Sequence, residues 1–348
     1  MQKFGDEYVA LTELSKAISF DPKDLSTLGD YGFKDKLNMV FSTAHPHFDF
    51  EKKKIYNVGI KTSFSSTYII YEINPINKTR KVLTKINCIS PSYTHSFAMT
   101  QDYIVFAEYS MKINPFELLI TTKPISHTIY FEESRPVKFH IIDKNTGKIT
   151  KVFETEPTFA FHHVNAYQKG EEIILDAITS KNKNIFQDLT FENIYNPDSF
   201  RNKIKTSLER FRLSLSTGKV ENEILFKDIF EFPNLNYLQN NSKDYRFSYG
   251  TSFKDSNNCF FWDSLIKVDL KPLNSLKWDQ EDCYVNEPFF VTNPESESED
   301  DGIILSLILD AHQKKSFLLF LDALTFEEIA RVYVPHIIPY SLHGQFFR

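Results

Sequence analysis

Phe161-His162-His163-Val164-Asn165-Ala166-Tyr167, followed after Gln168-Lys169 by Gly170-Glu171-Glu172-Ile173-Ile174-Leu175-Asp176, reads as a strand, a turn and a second strand. Apolar and β-branched residues fill both runs, and a glycine opens the turn between them. Side chains on a strand point alternately to its two faces, so His162 and His163 look opposite ways and only one of them serves a given site. By itself such a pair is more often a satisfied core or surface pair than a ligand. Its meaning depends on the rest of the chain.

The same strand–turn–strand unit recurs. Residues 54–60 lead into 67–73, and Asn74-Pro75-Ile76-Asn77-Lys78 reverses the chain into Lys81-Val82-Leu83. Residues 137–142 return as 148–153 across Asp143-Lys144-Asn145-Thr146-Gly147, 211–215 meet Ser216-Thr217-Gly218, and 317–321 return as 329–334. Repeated antiparallel units of this kind predict an all-β protein of four-stranded blades, a β-propeller. Their spacing is irregular, and pattern alone leaves a large β-sandwich open. Pro197-Asp198-Ser199-Phe200, with Phe200, Ile204 and Leu208 near helical spacing, predicts one short helix.

Composition narrows the class. The chain has 348 residues, 41% hydrophobic and 25% charged, which is globular and long enough for one large all-β domain. A net charge of −6 gives no electrostatic case for nucleic-acid binding. No apolar run reaches the ~20 residues of a membrane-spanning helix, and the longest, residues 302–309, is strand-sized. Cys88, Cys259 and Cys283 are odd in number, with no Cys-x-x-Cys, which predicts reduced thiols, no thiolate metal site and a cytoplasmic setting. Most of the 33 Phe and 17 Tyr read as sheet core.

Three more histidine segments change the weight of the central pair: Thr43-Ala44-His45-Pro46-His47-Phe48-Asp49, Tyr93-Thr94-His95-Ser96-Phe97-Ala98-Met99-Thr100 and Ser341-Leu342-His343-Gly344. With Phe161-His162-His163, in this order and spacing, they resemble the four histidine stations of the carotenoid cleavage oxygenases, from about Tyr8 to the C-terminus. The resemblance implies a seven-bladed propeller over residues 1–348, capped by loops and helices, with iron(II) held by His45, His95, His162 and His343 from inner strands. His47 and His163 are then neighbours, not ligands. His127, His140, His312 and His336 match no station and read as surface or structural residues. The resemblance also implies three glutamates that hold the ligands' other ring nitrogens, matched here by Glu13, Glu231 and Glu287, each set among apolar residues where an unpaired carboxylate is costly.

The implied activity is cleavage of a carotenoid or apocarotenoid double bond by O2. A retinyl-ester isomerohydrolase and a non-catalytic propeller scaffold are the alternatives. The substrate's solubility implies peripheral contact with a membrane surface, and residues 115–120 and 125–131 resemble the family's apolar patch. Family members carry further sequence ahead of the position of Glu13, whereas residues 7–13 here read as the middle of a blade. That predicts an N-terminally truncated propeller. The acidic run Glu295-Ser296-Glu297-Ser298-Glu299-Asp300-Asp301 reads as a solvated connection.

Overall fold

The structure, a computed structural model, describes residues 1–62, 65–120, 122, 124–196, 205–254 and 261–347. The helix expected from Pro197 onward and Cys259 fall outside the described residues, except that Leu208 lies in a strand. The fold is an all-β propeller. Its blades are four- or five-stranded antiparallel sheets built from strands that follow one another in sequence, except that the pair Met111–Ile113 and Ile129–Phe131 is inserted within the third. Six such blades are present among the described residues, not the seven that the resemblance implied. The strand pattern was too irregular to count sheets, so that number rested on the resemblance alone.

By internal contacts the chain divides into two compact units, Met1–Phe161 with Thr217–Lys219, and His162–Ser216 with Val220–Arg348. In the first unit, Gln2–Phe4, Glu7–Leu11, Ala17–Phe20 and Thr27–Asp30 form one complete sheet, so the strand at Glu7 is the second of four. Phe41–Ser42 and His47–Asp49 both pair with Lys54–Lys61, followed by Ser66–Asn74 and Thr79–Cys88. Phe4, Val9, Ile55, Ile69 and Ile73 fill the core of this part. The third sheet runs Ala98–Met99, Tyr103–Glu108, Val137–Asp143 and Ile149–Thr155.

A fourth sheet begins with Phe159–Lys169, the strand that opened the sequence reading, followed by Glu172–Ser180, Thr206–Ser214 and Val220–Phe226. In the second unit, Glu231–Asn234, Phe247–Ser252, Ser264–Asp269 and Asn274–Asp279 make the fifth sheet. Cys283–Val285 and Phe289–Thr292 share Gly302–Asp310 in the sixth, which continues with Lys315–Asp322 and Glu328–Tyr333. The middle strand Ser264–Asp269 buries nearly every residue, whereas the fourth strands Asn274–Asp279 and Glu328–Tyr333 are mostly exposed. This gradient is what an antiparallel blade with a solvated outer edge requires.

The acidic run is not a plain solvated loop. The Asp300 carboxylate accepts from the buried Lys267 Nζ at 2.8 Å, and Glu299 accepts from the backbone N–H groups of Arg246 and Phe247 at 2.8 and 2.7 Å. A buried ammonium needs an anion, and the loop supplies it.

Candidate metal centre

Proline opens the sheet ladder at three of the functional positions, because it has no N–H to donate. His45 lies in the break between Phe41–Ser42 and His47–Asp49, beside Pro46. Glu287 lies in the break between Cys283–Val285 and Phe289–Thr292, beside Pro288. Glu231 begins a bulged strand in which Phe232 takes a positive φ of 49° before Pro233. The opposing Gly250 permits this close approach, since a Cβ there would meet Glu231 O at 2.7 Å. His162 is the one ligand candidate inside a regular strand. His95 precedes Ala98–Met99 and His343 lies beyond the last strand, so the expectation of four ligands on strands is corrected. A short loop frees the imidazole from the pleat.

In the first unit, His45 and His95 bring their Nε2 atoms to 3.1 Å, with ring centroids 4.7 Å apart. His95 Nδ1 and the Tyr93 hydroxyl each stand 2.5 Å from Glu13 Oε1. The second unit repeats the motif. His162 and His343 bring their Nε2 atoms to 3.4 Å, His162 Nδ1 lies 2.8 Å from Glu231 Oε2, and His343 Nδ1 lies 3.1 Å from Glu287 Oε2. The Gly344 N–H also donates to Glu287, at 3.2 Å, and the Phe232 N–H to Glu231, at 3.1 Å. Burial pushes the Glu231 carboxyl up to about 8, against the lowering pull of that N–H. Glu13, Glu231 and Glu287 each lie on the ring nitrogen of their histidine that faces away from the partner imidazole.

The pairs fit a metal ion on their own geometry. A carboxylate at Nδ1 fixes the proton there and leaves the Nε2 lone pair available. An imidazole binds a first-row metal at about 2.1 Å, so two ligands at right angles stand about 3 Å apart, close to the separations found. A donor set of neutral imidazoles suits iron, copper, zinc or nickel, whereas calcium and magnesium prefer oxygen. Burial raises the Cys88 thiol to about 11 and the Cys283 thiol to about 12.

His47, His140 and His312 have other surroundings. Buried His47 hydrogen-bonds through Nε2 to Phe97 O at 2.8 Å, and burial lowers its pKa to about 4. His140 is structural, 3.4 Å from Glu108, which also takes Lys112 and Arg135 at 3.1 and 2.8 Å. His312 is exposed near Asp282. The sequence reading missed Tyr93, whose spacing of two from His95 puts both side chains on one face of an extended chain and could have signalled it. It also missed the aromatic walls, Phe161 against His95 at 5.5 Å and Phe232 against His162 and His343 at 5.4 Å each.

A propeller fold carrying carboxylate-backed imidazole pairs is an arrangement that could hold a non-haem metal ion. The chain belongs to the retinal pigment epithelial membrane protein family, that of the carotenoid cleavage oxygenases, which matches residues 1–348. It is 28% identical to the beta,beta-carotene 15,15'-dioxygenase of Mus musculus and 29% identical to that of Homo sapiens, covering 99% of this chain and 69% and 71% of theirs. The mitochondrial carotenoid-cleaving dioxygenase of Macaca fascicularis is 29% identical, over 99% of this chain and 71% of that protein. Among solved structures, cobalt-substituted Synechocystis ACO superposes with a TM-score of 0.85 at 27% identity, over 99% of this chain and 73% of that one.

Proposed function

We propose that this chain cleaves a double bond of a carotenoid or apocarotenoid with O2, giving two carbonyl products, at iron(II) held by His45, His95, His162 and His343. Glu13, Glu231 and Glu287 orient three of these imidazoles. The observation that carries the reading is the repeated imidazole pair with each Nδ1 of His95, His162 and His343 on a glutamate. These four histidines are the group among the described residues able to hold a metal ion. Family membership along the whole chain supplies iron and the polyene as the chemistry that such a group serves.

Held by His45, His95, His162 and His343, iron(II) would supply the activation of dioxygen towards the alkene. The chain's own residues do the rest. Glu231 and Glu287 hold the Nδ1 protons of His162 and His343, so neither ring turns its lone pair away. A cation at Nε2 favours the ionised form of the Glu231 carboxyl, offsetting the burial that otherwise raises its pKa. Phe161 and Phe232 present apolar walls to the imidazoles, which excludes water and suits an alkene rather than a polar group.

Contact with a membrane surface is part of the same proposal. Helix Pro115–Ile120 and the strand Ile129–Phe131 expose Phe116, Ile120 and Tyr130, and Ile89 stands exposed beside Ser90, whose hydroxyl lies 3.2 Å from the Tyr130 hydroxyl. No helix among the described residues is long and apolar enough to cross a membrane. A patch of this kind would lie on a bilayer rather than span it. Product analysis under isotope-labelled dioxygen tests the reaction. Label in both carbonyl products is expected; hydrolysis of a retinyl ester with no label would establish the isomerohydrolase chemistry instead.

A further inference from the structure

His343 reaches its place on the segment that follows the strand Glu328–Tyr333. Pro335 and Pro339 have no N–H with which to continue a ladder, and residues 335–346 are mostly exposed. The Val334 N–H still donates to Ser316 O, at 2.9 Å. Beyond it, side chains of the second unit tie the segment down. The Ser316 hydroxyl takes Ile338 twice, donating to its C=O and accepting from its N–H at 3.0 Å each. The Tyr340 ring stacks on Phe261 at 4.6 Å with planes 19° apart.

Asn286 makes a tie close to the ligand. It is buried, in the break of the sheet beside Glu287. Its Oδ1 accepts from the Ser341 N–H at 2.8 Å and from the Ser341 hydroxyl at 3.2 Å, while its Nδ2 donates to Leu307 O at 2.6 Å. An N–H on one side and a carbonyl on the other allow the amide a single orientation. Its backbone is fixed too: its N–H donates to Leu307 O at 3.2 Å, and the Ser306 hydroxyl donates to its C=O at 2.8 Å. Two successive residues thus grip the segment, Asn286 at Ser341 and Glu287 at His343 Nδ1 and the Gly344 N–H.

We propose that Asn286 is a positioning residue for His343: by gripping Ser341 it docks this segment on the sixth sheet and sets how readily the imidazole leaves a bound metal ion. The inference rests on the four-histidine reading of the site and adds what governs release from it. Glu287 fixes which ring nitrogen faces the ion. Ordering the exposed chain that carries the ring costs conformational entropy, and the Asn286 contact orders it before any metal arrives, so the ligand is preorganised. Truncating the side chain strands no buried group. Leu307 O keeps the backbone N–H of residue 286, and the N–H of exposed Ser341 turns to water.

The test is release of iron(II) from the full chain to a chelator under low oxygen, alongside amide hydrogen exchange. N286A is expected to fold and take up iron, but to release it roughly tenfold faster than the wild type, as for other groups that support a metal ligand. Without metal, its exchange should rise across residues 335–347 and stay unchanged in Cys283–Val285 and Gly302–Asp310. Added iron should restore the protection. S341P removes the N–H that Asn286 accepts and should release iron as fast as N286A. N286A/S341P should be no faster than either, since both break one contact. Wild-type release by both single variants, or multiplied effects in the double, would overturn the proposal. So would exchange that rises in the two strands instead of the segment, the mark of a merely structural side chain. A wild type that takes up no iron would overturn the four-histidine reading and this inference with it. One that holds iron on these terms but cleaves no carotenoid would contradict the proposed reaction alone.

Discussion

At the scale of single residues, strand alternation lets only one of two adjacent histidines serve a site, and hydrogen bonding supports His162 as the proposed ligand. His162 is buried with Nδ1 on Glu231 and Nε2 toward His343, while His163, on the opposite face, is only half-buried. His162→Ala is expected to abolish metal binding and His163→Ala to leave metal content nearly intact, as measured by elemental analysis; equal loss in both would reverse the assignment. Glu231→Gln removes the charge that makes His162 a strong donor, so iron retention against a chelator should weaken by roughly 10–100-fold. Unchanged retention would show that Glu231 merely fills space. These residues were legible because each sits in a short run of distinctive type. Phe232 was not, because its place over two imidazoles depends on a positive φ that no residue pattern announced.

At the scale of elements, strands were legible wherever apolar alternation met a turn, and their ends were set by pairing. Lys81-Val82-Leu83 proved to be part of the ten-residue strand Thr79–Cys88, because its long partner Ser66–Asn74 supplies the ladder for polar residues too. The acidic loop misled because its partner, Lys267, lies far away in sequence. The network around Glu108 was invisible for the same reason. There, burial alone would raise the carboxyl, but His140, Lys112 and Arg135 together bring it down to about 2 from an ordinary value of 4.5. A depressed carboxylate stabilises the fold above its unfolded pKa and loses that contribution as pH falls through the folded one. The gap in thermal midpoint between the wild type and Glu108→Gln should therefore be full above about pH 4.5 and narrow towards pH 2. A gap independent of pH would mean that the carboxylate is not held by charge.

At the scale of the whole molecule, the all-β class followed from repeated strand and turn chemistry, while the family followed only from four histidine stations in order. The number of blades could be read from neither. Each compact unit holds one imidazole pair of its own, His45 with His95 in the first and His162 with His343 in the second. The central proposal is that His45, His95, His162 and His343 are the ligands of one iron ion. Metal binding to such a site is linked to folding, so its loss in either unit should empty it altogether. The decisive measurement is iron content of the chain purified under low oxygen without chelators, alongside His45→Ala and His343→Ala. About one iron per wild-type chain, and essentially none in either variant, is the result this account predicts. Iron retained in either variant by the remaining pair, or none in the folded wild type, would contradict it.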